Sequence, residues 1–168
     1  MSQLSLSLDS SLLVRDDQGR YLPATADQIL EAARYVIDQK IPRGALFTSP
    51  ALVKDYLRTK LASFEHEVFA ALFLDSQNRL IEYVEMFRGT IDQASVYPRE
   101  VVKTALHHNA AAVIFSHNHP SGNSEPSQAD KLLTQRLKEA LALVDVCTLD
   151  HIVVGGEATT SFAERGLL

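Results

Sequence analysis

Two histidines, a serine and an aspartate fall within one short stretch, as His117-Asn118-His119-Pro120, six residues, then Ser127-x-x-Asp130. An apolar run, Ala111 to Phe115, leads into them and reads as a strand buried on both faces. Imidazoles at i and i+2 leave a strand end on the same side, because successive side chains alternate. Two imidazoles and a carboxylate are a ligand set for a catalytic zinc that keeps its fourth position for water. Each residue alone has an ordinary account. Ser127 and Asp130 spell a helix capping box, and His117 and His119 would serve as exposed loop residues. The conjunction is more specific: a strand that ends in two imidazoles, then a helix with Asp on its first turn, brings three ligands to one place.

A hydrolytic metal site also needs a base to take a proton from water and hand it to the leaving group. Glu65, Glu67, Glu82 and Glu85 are the candidates, and spacing alone does not choose among them. Other metal motifs are excluded. His66-Glu67 opens like H-E-x-x-H, but position 70 is alanine. A zinc nucleoside deaminase needs P-C-x-x-C, and Cys147 is the only cysteine. Amidohydrolase barrels use His-x-His, but 168 residues are short for a barrel of roughly 250. An HNH nuclease disperses its three residues, whereas His117-Asn118-His119 are consecutive.

The elements that must position these residues emerge from period and punctuation. Leu12–Arg15 and Arg20–Leu22 flank Asp16-Asp17-Gln18-Gly19, as a small hairpin or an ordered arm. Thr25 and Gln28 form a capping box before a helix with Ile29, Leu30, Ala33, Val36 and Ile37 on one face, ending near Lys40. Ser49-Pro50 starts a second helix, with Leu52, Val53, Tyr56, Leu57 and Leu61 inward. The single Gly44 between them fits a plain helical hairpin better than a DNA-binding helix–hairpin–helix. From Glu67 the period changes. Val68–Leu74 and Leu80–Phe87 read as a hairpin, succeeded by a polar loop from Arg88 to Ser95. Pro98 opens a helix with Val101, Val102, Ala105 and Leu106 inward, stopped by Asn109. Next come the strand 111–115, a helix from Ser127 to about Leu143, a strand Val146–Val154 ended by Gly155-Gly156, and a short tail. Strand, strand, helix, strand, helix, strand predicts an α/β domain with at least one parallel pair, helices covering the sheet, and the site at the C-terminal end of strand 111–115.

The apolar fraction of 46% and charged fraction of 22% are those of a globular chain able to bury a core. A net charge of −5 gives no support to broad nucleic-acid binding, though it leaves room for a local basic patch. One cysteine excludes an intrachain disulfide and any multi-cysteine zinc site. No apolar run approaches the roughly 20 residues of a membrane span, and the opening MSQLSLSLDS lacks the order of a secretory signal, so the cytoplasm is expected.

His117-x-His119-Pro120 with Ser127-x-x-Asp130 matches, without a gap, the JAMM motif of JAB/MPN metalloproteases. A longer set of segments resembles the bacterial RadC family: Glu67-Val68-Phe69, Phe87-Arg88-Gly89-Thr90, Pro98-Arg99-Glu100, Asn109-Ala110-Ala111, His117 to Gly122, Glu125-Pro126-Ser127 and Asp150-His151. The resemblance covers roughly residues 47–168, leaving residues 1–46 as an N-terminal arm and helix. Residues 1–45 depart from the helix–hairpin–helix region that precedes this domain in full-length RadC proteins.

The resemblance implies a mixed β-sheet flanked by helices in the JAB/MPN, cytidine-deaminase-like architecture. It implies one Zn2+ per chain held by His117, His119 and Asp130, with Glu67 as general base and Ser127 orienting the water or stabilising the oxyanion. The implied reaction is hydrolysis of an amide, peptide or isopeptide, in a peptide or protein-conjugate substrate. Two other readings stand beside it: a DNA-repair accessory, as the family name suggests, and a metal-binding interaction module without catalysis. Asp150-His151 offers a second layer of contacts around the metal, although a strand histidine satisfied in the core accounts for His151 as well. Cys147 reads as a small core residue, and His107 and His108 as surface residues.

Overall fold

The computed structural model describes residues 12–40, 44–47, 49–89 and 96–168. The chain divides into two units, Met1–Lys40 and Ile41–Leu168.

In the first unit, β1 (Leu13–Arg15) and β2 (Tyr21–Pro23) form an antiparallel hairpin. The Asp16 carboxylate closes its turn, accepting the N–H groups of Gln18 and Arg20 at 3.0 and 2.8 Å and the Arg20 guanidinium at 2.8 Å. Of the two readings, a small hairpin or an ordered arm, the segment forms the hairpin. Helix α1 (Ala26–Lys40) starts at the expected capping box, with reciprocal bonds between Thr25 and Gln28. Leu30 and Val36, two residues of its apolar face, are exposed. The connection Ile41-Pro42-Arg43 lies outside the described residues.

The second unit begins with α2 (Pro50–Leu61), capped by Ser49, whose hydroxyl accepts the Leu52 N–H. Then come β3 (Val68–Leu74), β4 (Leu80–Arg88), α3 (Pro98–His107), β5 (Ala112–Asn118), α4 (Gln128–Ala142), β6 (Cys147–Gly155) and β7 (Ala158–Ser161). The loop read from Arg88 to Ser95 falls, from Thr90 onward, outside the described residues. Five strands form one sheet in the order β4-β3-β5-β6-β7. β5 and β6 pair in parallel through the α4 crossover, and the other pairs are antiparallel, so the sheet is mixed as expected.

β3 and β5 are buried at every position, the signature of a central strand covered on both faces. Phe69, Ala71, Phe73, Val113 and Phe115 pack against Val101 and Ala105 of α3 and Leu137 and Leu141 of α4. The opposite face meets α2, whose Val53, Tyr56, Leu57 and Leu61 are buried. Burying a large apolar side chain contributes about 1.5–3 kcal/mol before entropy is counted, so this double-sided packing makes β5 a rigid base for the polar residues at its C-terminal end. Asn109 ends α3 at φ +49°, letting the Ala110 N–H reach back to the Ala105 carbonyl at 3.0 Å.

Several expectations differ in detail. Leu52 and Leu106 are exposed rather than inward, because each sits at the edge of an apolar stripe wider than the face its helix buries. Cys147 is exposed, at the first residue of β6 where the strand emerges from α4. His108 is half-buried, its ring stacked on Phe73 at 5.2 Å. β7 is an addition to the expected elements: its four residues, Ala158–Ser161, lie within what reads as tail, and the Gly155-Gly156 turn folds them back on β6.

Candidate metal centre

β5 runs further than its apolar letters suggest. Ser116, His117 and Asn118 remain strand residues, and all three are buried. The polar residues are buried because each has a built partner. The Ser116 hydroxyl donates to the Ile152 carbonyl at 2.7 Å. Asn118 accepts the Val68 N–H at 2.8 Å and donates to the His66 and Phe64 carbonyls at 3.0 and 3.3 Å. That amide ties the segment leading into β3 to the end of β5.

His117 and His119 leave the strand end on one side, as the i, i+2 spacing predicts, and their Nε2 atoms lie 3.0 Å apart. Asp130, on the first turn of α4, brings Oδ1 to 3.4 Å from His117 Nε2 and Oδ2 to 3.5 Å from His119 Nε2. One ligand atom from each of the three residues lies within 4.8 Å of the other two. The capping box is also formed. The Ser127 N–H and hydroxyl both donate to Asp130 Oδ2 at 2.7 Å, and Ser127 Oγ accepts the Asp130 N–H at 3.1 Å. Ser127 thus caps α4 and fixes the carboxylate together, leaving Oδ1 less encumbered.

The loop between the two ligand groups orients His119. Its Nδ1–H donates to the Asn123 carbonyl at 2.7 Å, and since a carbonyl only accepts, the neutral ring carries its lone pair on Nε2, toward His117 and Asp130. Gly155 supports that loop. A Cβ there would fall 2.5 Å from the Asn123 carbonyl carbon and 2.8 Å from the Gly122 oxygen. The sequence marks Gly155 only as a strand stop; its use is the close approach of two backbones.

Electrostatics reflect the same geometry. The Asp130 hydrogen bond holds His119 above its ordinary range against the opposing effect of burial, helped by the Asn123 carbonyl and the nearby charge of Glu67. Burial alone would raise the Asp130 carboxyl, but hydrogen bonds with His117, His119 and Ser127 together hold it well below the usual carboxylate range. Glu67 lies immediately before β3, near enough to His119 for its charge to act on that ring. The structure thus gathers His117, His119, Asp130 and Ser127, with the charge of Glu67 acting on His119. Glu82 and Glu85 lie on β4, opposite Phe73 and Ala70.

Asp150 and His151 divide. His151 Nε2 lies 2.8 Å from His117 Nδ1, and its own Nδ1 lies 2.6 Å from Thr134 Oγ1 of α4. Asp150 turns away, accepting the Ser161 hydroxyl at 2.6 Å and the N–H groups of His151 and Ala163 at 2.7 and 2.9 Å. Burial, and next the charge of His117, push His151 well below the ordinary histidine range. Sequence reasoning missed Thr134, Asn118 and Gly155. Thr134 alone left a signal, four residues after Asp130 and therefore above it on the same helical face.

The donor set suits a zinc ion. Two imidazole nitrogens and a carboxylate oxygen converge, with Nδ1 of both histidines and Oδ2 of Asp130 already engaged by protein groups.

A family model, the RadC-like JAB domain, matches residues 47–167. The chain belongs to this family. Among relatives of the RadC-like chain, a UPF0758 protein of Vibrio cholerae is 61% identical over 141 residues, 84% of this chain and 89% of that protein. UPF0758 proteins of Leptothrix cholodnii and Cellvibrio japonicus are 61% and 63% identical over 140 residues, 83% of this chain but 63% and 62% of theirs. The matched region thus spans nearly the whole of the first relative and under two thirds of the other two. Among the described residues, no helix is long and apolar enough to cross a membrane.

Proposed function

We propose that this chain is a zinc-dependent hydrolase of the cytoplasm that cleaves an amide bond, peptide or isopeptide, in a peptide or protein-conjugate substrate. The observation that carries the reading is the convergence of His117, His119 and Asp130 at the end of a buried strand, with the charge of Glu67 near enough to act on His119. Those three residues would hold one zinc, which supplies a Lewis acid able to bring a water to nucleophilic strength near neutral pH. Glu67 would be the base that accepts a proton from the attacking water and gives it to the leaving nitrogen. Asn118 holds the Glu67 segment against the strand end through three hydrogen bonds, which keeps the base in place between the two transfers. Ser127 directs its hydroxyl at Asp130, so its first contribution is to hold a ligand still.

Purified chain from a zinc-replete preparation is expected to carry about one zinc. His117→Ala and Asp130→Ala lose it, and Glu67→Gln keeps it while losing hydrolysis of a diverse peptide library. A metal-free wild-type chain sinks the reading, and full activity in Glu67→Gln moves the base elsewhere.

A further inference from the structure

Metal-ligating histidines almost always give their second N–H to a carboxylate, a backbone carbonyl or a water. His117 gives its own to another imidazole, that of His151, which is fully buried. An imidazole partner is ambiguous by itself, because either nitrogen of either ring can hold the proton. The ambiguity is removed from the far end. Thr134 Oγ1 lies 2.6 Å from the Asp130 carbonyl, and a carbonyl only accepts, so the one hydroxyl proton goes there. Toward His151 the hydroxyl must then accept, which puts a proton on His151 Nδ1. The neutral ring is left with a lone pair on Nε2, and His117 Nδ1–H supplies the proton that fills it. His117 Nε2 is thereby the nitrogen with the free lone pair, facing His119 and Asp130.

We propose that His151 and Thr134 are positioning residues that fix the tautomer and ring plane of His117 for metal binding, by a chain of hydrogen bonds starting from the backbone carbonyl of Asp130. The proposal rests on the reading of His117, His119 and Asp130 as a metal centre. Its geometry links two ligands from different elements: the chain leaves the backbone of Asp130 on α4, crosses to β6 and returns to His117 on β5. Rings hold His151 in plane, with Phe162 stacked at 4.8 Å and Phe69 and Phe115 edge-on at 5.6 and 6.0 Å. Because the chain ends on a carbonyl and not a carboxylate, it orients the ligand without adding negative charge behind it.

The test is zinc affinity of the full chain, by competition with a chromophoric chelator, together with nitrogen NMR of histidine-labelled protein. Thr134→Val, which keeps shape but removes the hydroxyl, is expected to weaken zinc binding roughly tenfold, and His151→Phe roughly 10- to 100-fold. Thr134→Ser, which keeps the hydroxyl, retains wild-type affinity. NMR is expected to find His151 neutral with its proton on Nδ1 in wild type. If His151→Phe does not fold, Thr134→Val and the tautomer assignment still decide. Wild-type affinity in Thr134→Val, or a proton on His151 Nε2, overturns this proposal while leaving the metal centre standing. A wild-type chain that binds no zinc overturns both.

Discussion

Asp150 and His151 are adjacent in sequence, both buried and both polar, yet they serve opposite sides of the sheet. His151 joins His117 to Thr134 on the α4 side, while Asp150 gathers the Ser161 hydroxyl and the Ala163 N–H where β7 leads into the C-terminal turn. Alternation alone sends neighbours to opposite faces, but it does not say which goes where. A bulge decides. Val113 pairs with Thr148 and Ile114 with Asp150, so Leu149 is an extra residue in β6. Thr148, paired with Val113, takes the α4 side, and without the bulge that face would next receive Asp150. The inserted residue inverts the parity, and His151 arrives beside Phe115 instead. One residue out of register separates the carboxylate that gathers the C-terminal turn from the imidazole that meets His117.

The comparison breaks most easily at Asp150. Asp150→Ala strips three donors of their acceptor and is expected to cost about 3 kcal/mol in denaturant unfolding, while the folded protein keeps its zinc. Loss of zinc at unchanged stability would erase the division of labour drawn between the two residues. A smaller effect is expected at Gly155, where a methyl group must displace the Gly122–Ser124 backbone. Overpacking of this kind costs about 1–3 kcal/mol, and here it moves the Asn123 carbonyl that orients His119. Gly155→Ala should therefore lower both stability and zinc affinity, measured by thermal melts and chelator competition. A variant that melts early but binds zinc as wild type would show that the loop adapts without passing the strain to His119.

The fold is largely legible in the sequence, because its signals are local and strong. Buried runs, turn residues and caps place β3 to β6 and the four helices among the described residues, and the motif spacing brings His117, His119 and Asp130 together beside a helix cap. The features that stay hidden depend on pairing. His117 is strand rather than loop because Ser116 and Asn118 find partners on β6 and fifty residues upstream, which no local window reports. β7 is four residues long and acquires its identity only from β6. The bulge at Leu149 leaves no letter of its own, so Asp150-His151 is readable as a pair near the site but not as two separate duties.

Ser127 tests the boundary between those duties, because its hydroxyl performs both. It accepts the Asp130 N–H as a helix cap and donates to Asp130 Oδ2 as a ligand's support. Alanine removes both functions and is expected to cost about 1 kcal/mol of stability, whereas glycine at an N-cap costs only about a few tenths. Both substitutions remove the hydrogen bond to the carboxylate equally. Ser127→Ala and Ser127→Gly should therefore differ in unfolding free energy but weaken zinc binding to the same, less than tenfold, extent. If zinc affinity instead tracks stability across the pair, the hydroxyl acts on the metal centre only by holding the first turn of α4, and its bond to Asp130 has no separate effect on the site.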